Sequence, residues 1–378
     1  MAGLYIHIPF CIRKCDYCDF VSFPCAEVPQ EYIEALLREI ALVAALPNRP
    51  RNFDTVFFGG GTPSLLSGQQ LGVIMDALCK QFDINCDAEI SLECNPGTAT
   101  AEKLQAYRKA KVNRLSIGMQ SAKDDLLMAI GRIHDHAQLL STVASARGAG
   151  FANINVDVMH GLPDQSQKDY ISTLKAACEL GVQHISAYAL ILEEGTALHA
   201  RARRGALSLP DADAVADMQD AGLLFLEEQG YERYEISNFS RPGFACRHNL
   251  NYWQNGEYLG FGVAAHSVCR MDTWTRWANA ETLKEYYRLL QRGRHPRCET
   301  LRLLLADEMF ESVMLGLRMV AGIDRMRFFE RFGISIKDAY PNALDELRAR
   351  GWLLENETHI ALTKRGLDMQ NAALQFFM

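Results

Sequence analysis

Short apolar runs rich in β-branched and aromatic residues recur along the first half of the chain, at residues 4–8, 55–58, 89–93, 114–117, 154–159 and 184–190. Runs of this length, bounded by polar or glycine-containing stretches, predict strands. The stretches between them repeat with helical period. Residues 31–45 set Ile33, Leu36, Leu37, Ile40 and Val43 on one face, and 65–78 do the same with Leu65, Leu71, Ile74, Met75 and Leu78. In 169–180 the face is Ile171, Leu174 and Cys178, with Gly181 as the stop. Six strand–helix units in succession predict an α/β fold over residues 1–200, a parallel sheet curved into a partial (β/α)6 barrel. In such a sheet the chemistry gathers in the loops at the C-terminal ends of the strands.

Beyond residue 200 the alternation fades. Residues 201–298 are rich in Arg, Asn, Tyr, Trp and Gly and predict irregular chain laid over the sheet. Residues 299–378 predict a separate small unit: helices, a further helix at 344–350, a hairpin pairing 352–354 with 359–362, and a terminal helix. That order is winged-helix-like. A nucleic-acid-binding wing needs a basic recognition helix, and Arg348 and Arg350 alone supply little of one, so the unit is expected to cap the structure.

Composition narrows the class. With 378 residues, 48% hydrophobic and 22% charged, the chain can bury a large core, and a formal charge of −7 argues against nucleic acid as a partner. No apolar run reaches membrane-spanning length, and the strand pattern at residue 4 leaves no place for a signal peptide, which predicts a cytoplasmic protein. Eleven cysteines in a reducing compartment are a poor disulfide framework. Three of them, Cys11, Cys15 and Cys18, fall within eight residues directly after the first strand.

Three thiolates on one loop can hold three irons of a cubane and leave the fourth iron open, unlike the four-cysteine electron-transfer clusters. An open iron can chelate the amino and carboxylate groups of S-adenosylmethionine, whose sulfonium is then cleaved on one-electron reduction. The rival reading is a single zinc with His7 as fourth ligand, although zinc sites usually come as two spaced pairs.

The other strand ends add to this site. Gly59-Gly60-Gly61-Thr62-Pro63-Ser64 follows the second strand, where glycines let backbone approach a ligand and offer carbonyls to an ammonium group. Glu93, Gln120 and Asp157 close later strands, and Arg132 is expected on the helix after Gln120. Singly, each fits a helix cap or a surface ion pair. Together they make a mouth with two carboxylates for ribose hydroxyls, and an amide and a guanidinium for a methionine carboxylate.

The run Tyr5-Ile6-His7-Ile8-Pro9-Phe10-Cys11, the Gly59–Ser64 turn, Glu93-Cys94-Asn95-Pro96, Ser116-Ile117-Gly118-Met119-Gln120 and Asp157-Val158-Met159-His160-Gly161-Leu162-Pro163 resemble the oxygen-independent coproporphyrinogen III oxidase family of radical S-adenosylmethionine proteins. The resemblance runs over essentially the whole chain. It implies a [4Fe–4S] cluster on Cys11, Cys15 and Cys18, and S-adenosylmethionine contacts from Tyr5, Gly60, Gly61, Thr62, Glu93, Gln120, Arg132, Asp157 and Ala189. Some of these family positions serve a second, stacked S-adenosylmethionine in the oxidases.

Within that family the oxidases carry a further cysteine two residues after the triplet, where this chain has Phe20, and an N-terminal extension before the first strand. His248-Asn249-Leu250-Asn251-Tyr252-Trp253 instead is similar to the His-Asn-x-x-Tyr-Trp motif of the haem-chaperone branch. That branch implies a protein that binds haem and delivers it to haem-requiring proteins. S-adenosylmethionine cleavage is then a residual activity, a flavodoxin or ferredoxin serves as electron donor, and membranes are met only through a haem acceptor. The expected iron ligand is His248, oriented by Asn249, with Tyr252 and Trp253 against the macrocycle. His266 is the second choice, and His7 is expected to pack beside the cluster. The alternative function is the oxidase reaction, decarboxylation of coproporphyrinogen III.

Overall fold

The computed structural model describes all 378 residues. All six expected strands form, the first five a little longer than their apolar runs and the sixth one residue shorter: β1 (Ala2–Ile8), β2 (Asn52–Gly60), β3 (Asp83–Cys94), β4 (Arg114–Gln120), β5 (Asn153–His160) and β6 (His184–Ala189). They pair in chain order and all in parallel. The expected helices lie between them: α1 (Gln30–Ala44), α2 (Gly68–Gln81), α3 (Ala101–Lys109), α4 (Asp124–Ala129), α5 (His136–Gly148) and α6 (Gln167–Glu179). Capping boxes start three of these, Ser67 with Gln70, Asp135 with Gln138 and Ser166 with Asp169, so the loops from the strands end at defined points. Apolar faces of helices and strands merge in one core that includes Leu4, Ile6, Val56, Phe58, Leu92, Leu115 and Ile117.

Residues 201–298 are not irregular chain. They contain α7 (Ala197–Arg203), α8 (Ala212–Glu228), α9 (Arg247–Trp253), α10 (Leu283–Gln291) and six further short strands with Arg297–Arg302 included. In chain order these strands are β7 (Glu232–Arg233), β8 (Asn238–Ser240), β9 (Glu257–Phe261), β10 (His266–Arg270), β11 (Trp274–Asn279) and β12 (Arg297–Arg302). They extend the barrel sheet at both edges to the order β12-β11-β10-β9-β1-β2-β3-β4-β5-β6-β8-β7. Strand β9 joins β1 in parallel, and every other added pairing is antiparallel. These strands are short, and β12 is almost wholly solvent-facing, so they lack the apolar runs that mark the barrel strands.

The C-terminal unit has its own core around Val313, Leu317, Phe328, Leu344, Leu347 and Ile360. It comprises α11 (Leu305–Gly316), α12 (Arg325–Phe332), α13 (Ile336–Ala339), α14 (Pro341–Ala349) and two short final helices, with a small sheet in which His359–Leu362 pairs Ile323–Asp324 on one side and Leu353–Glu355 on the other. Arg348 is neutralised by Asp345 at 2.5 Å and Glu355 at 2.7 Å, and Arg350 lies 3.5 Å from Glu346. The unit is fastened to the sheet edge by Arg276 on Glu311 (2.8 Å) and by Glu308, which takes both Arg270 and Arg331. No helix is long and apolar enough to cross a membrane.

Candidate functional site

The loop after β1 carries the three cysteines and is held from several sides. Phe10–Cys11 pairs with Phe23–Pro24 as a two-stranded ribbon, which folds the loop back over the strand end. Asp16 tethers its middle: its N–H donates to the Ile130 carbonyl (3.0 Å), its carbonyl accepts from Leu198 N–H (2.7 Å), and its carboxylate takes Arg201 (3.1 Å). A cavity of about 150 Å³ results, lined by Cys11, Cys15 and Cys18 together with Gly60, Gly61, Thr62, Glu93, Gln120, Arg132 and Asp157.

The geometry suits a cluster better than a single ion. No three His, Cys, Asp or Glu side chains converge on one point, whereas thiols spread around a cavity can each take one iron of a cubane. His7 is not free to be a zinc ligand, because Nδ1 meets the Tyr5 hydroxyl and Nε2 meets the Val21 carbonyl, both at 3.0 Å. Two sulfurs already have polar neighbours, Thr62 Oγ1 at 3.5 Å from Cys11 and Arg132 Nη1 at 3.6 Å from Cys15.

The glycine turn is required sterically. A Cβ on Gly61 would stand 2.8 Å from the Phe10 carbonyl oxygen and 3.0 Å from Cys11 Sγ. Gly60 has φ +116°, and a Cβ there would meet the His7 ring at 2.6 Å. At the end of β4, Gln120 is held at φ +55°, and its buried Oε1 has no hydrogen-bond partner. A strained backbone that aims an unpaired acceptor into a cavity fits a ligand N–H donor there.

Charge in the cavity is balanced between carboxylates and guanidinium. Glu93 Oε2 accepts from Gly60 N–H at 3.0 Å; burial, then the nearby Asp157 charge, lift its carboxyl to about 8. Burial also raises Asp157, against hydrogen bonds from Asn155 (2.7 Å) and Ser186 and the pull of Arg114 and Arg132. Both are therefore primed to hydrogen-bond hydroxyls without carrying two full charges side by side. Arg132 is fixed by Asn95 Oδ1 (2.8 Å) and the Gly118 carbonyl (3.0 Å). It stands in the loop beyond α4, which ends at Ala129, and not on the helix that the sequence suggested.

Asn95 was missed as a site residue. It also donates to Thr62 Oγ1 at 2.9 Å, so it joins the β2 turn to the guanidinium. Its signal lay in the Glu93-Cys94-Asn95-Pro96 run, although nothing in that run sets its side chain apart.

Two expected S-adenosylmethionine contacts fall outside this cavity. Tyr5 faces a second one of about 280 Å³, which shares Gly60, Glu93 and Phe20 with the first and is also lined by His7, Tyr252, Tyr258 and His266. Ala189 ends β6 and lines neither.

The histidine motif is arranged differently from the sequence expectation. His248 is 1% exposed; its Nδ1 meets Thr55 Oγ1 at 2.7 Å and its Nε2 the Tyr252 hydroxyl at 2.9 Å. Burial, reinforced by the Arg114 charge, pushes its pKa down to about 3, so it is a neutral internal bridge from α9 to β2. Neither ring nitrogen is offered to an external iron. Its neighbours in space are Thr55, Tyr252 and the stacked Phe57 ring, and not Asn249. Tyr252 and Trp253 part company: Tyr252 lines the second cavity, whereas Trp253 points towards the C-terminal unit, beneath the Arg318 guanidinium at 4.5 Å. His266 is exposed on the wall of the second cavity.

Comparison with known proteins agrees with this anatomy. Residues 5–177 match the radical SAM superfamily and residues 303–369 the HemN C-terminal domain. The heme chaperone HemW of Bacillus subtilis is 36% identical over 100% of this chain and 99% of its own. The heme chaperone HemW of Escherichia coli is 37% identical over 100% and 98%. Among solved structures, the coproporphyrinogen III oxidase HemN of Escherichia coli, a radical SAM enzyme, superposes with a TM-score of 0.84 at 25% identity, covering 100% of this chain and 89% of that one. The chain belongs to the HemW family of radical S-adenosylmethionine proteins.

Proposed function

We propose that this protein is a haem chaperone that binds haem and hands it to haem-requiring proteins, while carrying a [4Fe–4S] cluster and S-adenosylmethionine. The observation that carries the reading is identity of 36–37% along the entire chain to proteins named as heme chaperones, against 25% to the oxidase with the same fold. Phe20, at the position of the oxidases' further cysteine, stands between the two cavities and supports the same choice.

In this reading Cys11, Cys15 and Cys18 hold the cluster, which supplies reductive cleavage of the sulfonium when it is present. Gly60, Gly61 and Thr62 take the methionine ammonium, Arg132 and the Gln120 amide N–H its carboxylate, and Glu93 and Asp157 the ribose hydroxyls, which leaves the Gln120 Oε1 acceptor for a ligand N–H. Tyr5 sits behind Glu93 and fixes His7, and so acts on the site from the second cavity. The exposed Arg13 and Lys14 of the cluster loop give a basic rim suited to an acidic one-electron donor of the flavodoxin or ferredoxin class. The compartment is the cytoplasm, with membranes reached only through a haem acceptor.

Haemin titration of the anaerobically reconstituted protein, run beside a coproporphyrinogen III decarboxylation assay, tests the choice. Saturable haemin binding without decarboxylation is expected. Turnover fast enough to sustain haem synthesis would assign the oxidase reaction instead.

A further inference from the structure

A cavity of about 470 Å³ lies away from the cysteine loop, between α9 and the C-terminal unit. Its volume is within the ~300–1,000 Å³ of typical cofactor pockets. One wall is the outer face of α9, with Leu250 and Trp253; the other is Met319, Ile323 and Phe328. These are apolar surfaces on two units whose cores are separate.

The edge of this crevice is cationic and under-compensated. Arg233, Arg327 and Arg331 all line it. Arg327 binds only a neutral group, Gln254 Oε1 at 2.5 Å, and no carboxylate pairs with it or with Arg233. Arg331 shares Glu308 with Arg270, so two guanidiniums divide one carboxylate, and its Nη2 is buried without a partner. Burial and the neighbouring Arg331 charge both work against the charged form of Arg327, which an incoming anion would relieve. Asp324 is the acid on this wall, and its Oδ1 is spent capping α12 at Arg327 N–H (2.9 Å). His359, on the central strand of the small sheet, also lines the crevice; Thr358 Oγ1 meets its Nδ1 at 2.9 Å, and Nε2 has no partner in the chain.

Apolar walls, two guanidiniums without a carboxylate partner (Arg327, and Arg233, which donates to the Ile236 carbonyl), a third that shares its carboxylate, and an imidazole with one free nitrogen match a large planar ligand with two carboxylates and a metal. We propose that haem binds in this crevice, its faces against Trp253 and the C-terminal wall, its propionates on Arg327 and Arg331, and its iron within reach of His359. The proposal rests on the haem-chaperone reading and adds the location. It keeps haem off the wall shared with the cofactor cavity, and it gives Trp253 a role in the motif that His248, held inside, does not have.

The test is a Soret titration with haemin on the full-length, reconstituted protein and four variants. Ala321→Trp adds an indole at an exposed lining position and Arg327→Gln removes a cation; each is expected to weaken haemin binding at least tenfold. His359→Ala is expected to shift the Soret maximum, and His266→Ala to leave both affinity and spectrum unchanged. The melting temperature and 5′-deoxyadenosine formation of Ala321→Trp should match the parent protein, which separates a blocked crevice from a damaged fold. Unchanged haemin affinity in both Ala321→Trp and Arg327→Gln, or loss of the Soret signal in His266→Ala instead, overturns the location. An unshifted spectrum in His359→Ala removes the iron ligand from the proposal. Failure of the parent protein to bind haemin at all would sink the chaperone reading itself.

Discussion

The mouth of the sheet and the crevice beside α9 are built on opposite principles. The mouth is polar and made within one unit: each residue lies within three residues of the C-terminal end of a parallel strand, so the barrel topology alone brings Cys11, Gly61, Glu93, Gln120 and Asp157 together. The crevice is largely apolar and made between units, from residues 233–234, 250–254, 312–332 and 359. The first depends on local spacing and strand register. The second depends on how the C-terminal unit docks, through contacts such as Arg331 on the Asn255 carbonyl (2.6 Å) and Asn255 on Ser312 (3.0 Å). Changes at the mouth should therefore leave the crevice intact, and changes at α9 should be felt across the junction.

The largest separation is expected from the cysteines. Replacing Cys11, Cys15 and Cys18 together by Ala should abolish cluster iron and brown absorbance in anaerobically reconstituted protein while haemin titration stays near that of the parent. Replacing Cys25 or Cys94 should spare the iron: Cys25 is outside the cavity, and Cys94, though on its wall, is buried at the end of β3 with its thiol on the Asn95 carbonyl. Four irons per chain in the triple variant would refute the assignment.

His248 ties the two regions, and its protonation provides the second comparison. Its folded pKa, about 3, lies below the usual 6.5, so the unfolded chain binds more protons between those values and stability falls as pH drops through that window. A shift of this size corresponds to several kcal/mol. His134 and His160, each pushed down to about 4 by burial, add to the acid loss. Urea unfolding at pH 7.5 and 5.5 should show His248→Gln less stable than the parent at the higher pH and with a smaller loss between the two. Equal losses would mean that the folded imidazole takes up its proton as readily as the unfolded one, so that burial does not depress it.

At the cofactor cavity, Glu93→Ala and Asp157→Ala should each weaken S-adenosylmethionine binding with the cluster still present. A hydrogen bond is worth about 0.5–1.5 kcal/mol to a neutral group and about 1.5–3 kcal/mol to a charged one, so each loss corresponds to up to about two decades in Kd, with the smaller effect expected at Glu93, whose carboxyl is lifted to about 8. Haemin affinity should not follow. Equilibrium dialysis that finds both variants unchanged would place the ribose elsewhere.

Much of this contrast was legible in the sequence, and the rest was hidden for a physical reason. The mouth could be read because a parallel barrel puts every strand's C-terminal end on one side, so the position of Glu93 or Asp157 in its apolar run is already a position in space. The strands beyond residue 230 could not be read that way: β8 and β9 are short, and β12 turns most of its side chains to solvent, so no apolar period marks them. The histidine motif misled because its spacing shows a helix but not which face is buried. Structure assigns His248 and Asn251 to the inside, and Trp253 to the junction with a unit sixty residues away in sequence.

The two asparagines of that motif give the smallest and sharpest comparison. Asn251 is fully buried, its Nδ2 donates to the Glu257 carbonyl at 2.9 Å, and a Cβ on the adjacent Gly256 would collide with its side chain at 2.0 Å. It thus fixes the turn that leads from α9 into β9, and with it the position of Trp253 and Gln254 on the crevice wall. Asn249 is half-buried on the same helix and makes no hydrogen bond to His248, whose two nitrogens are already taken. Asn251→Ala should cost about 1–1.5 kcal/mol, the penalty for leaving a partly buried carbonyl without its donor, and should weaken haemin binding through the loosened wall. Asn249→Ala should stay within about 0.5 kcal/mol of the parent, as surface substitutions without special partners do, and leave the haemin spectrum unmoved. Paired urea titrations and Soret titrations read both quantities. A larger effect from Asn249 than from Asn251 would mean that the motif works as an exposed ligand set after all, with His248 turned outward when haem arrives.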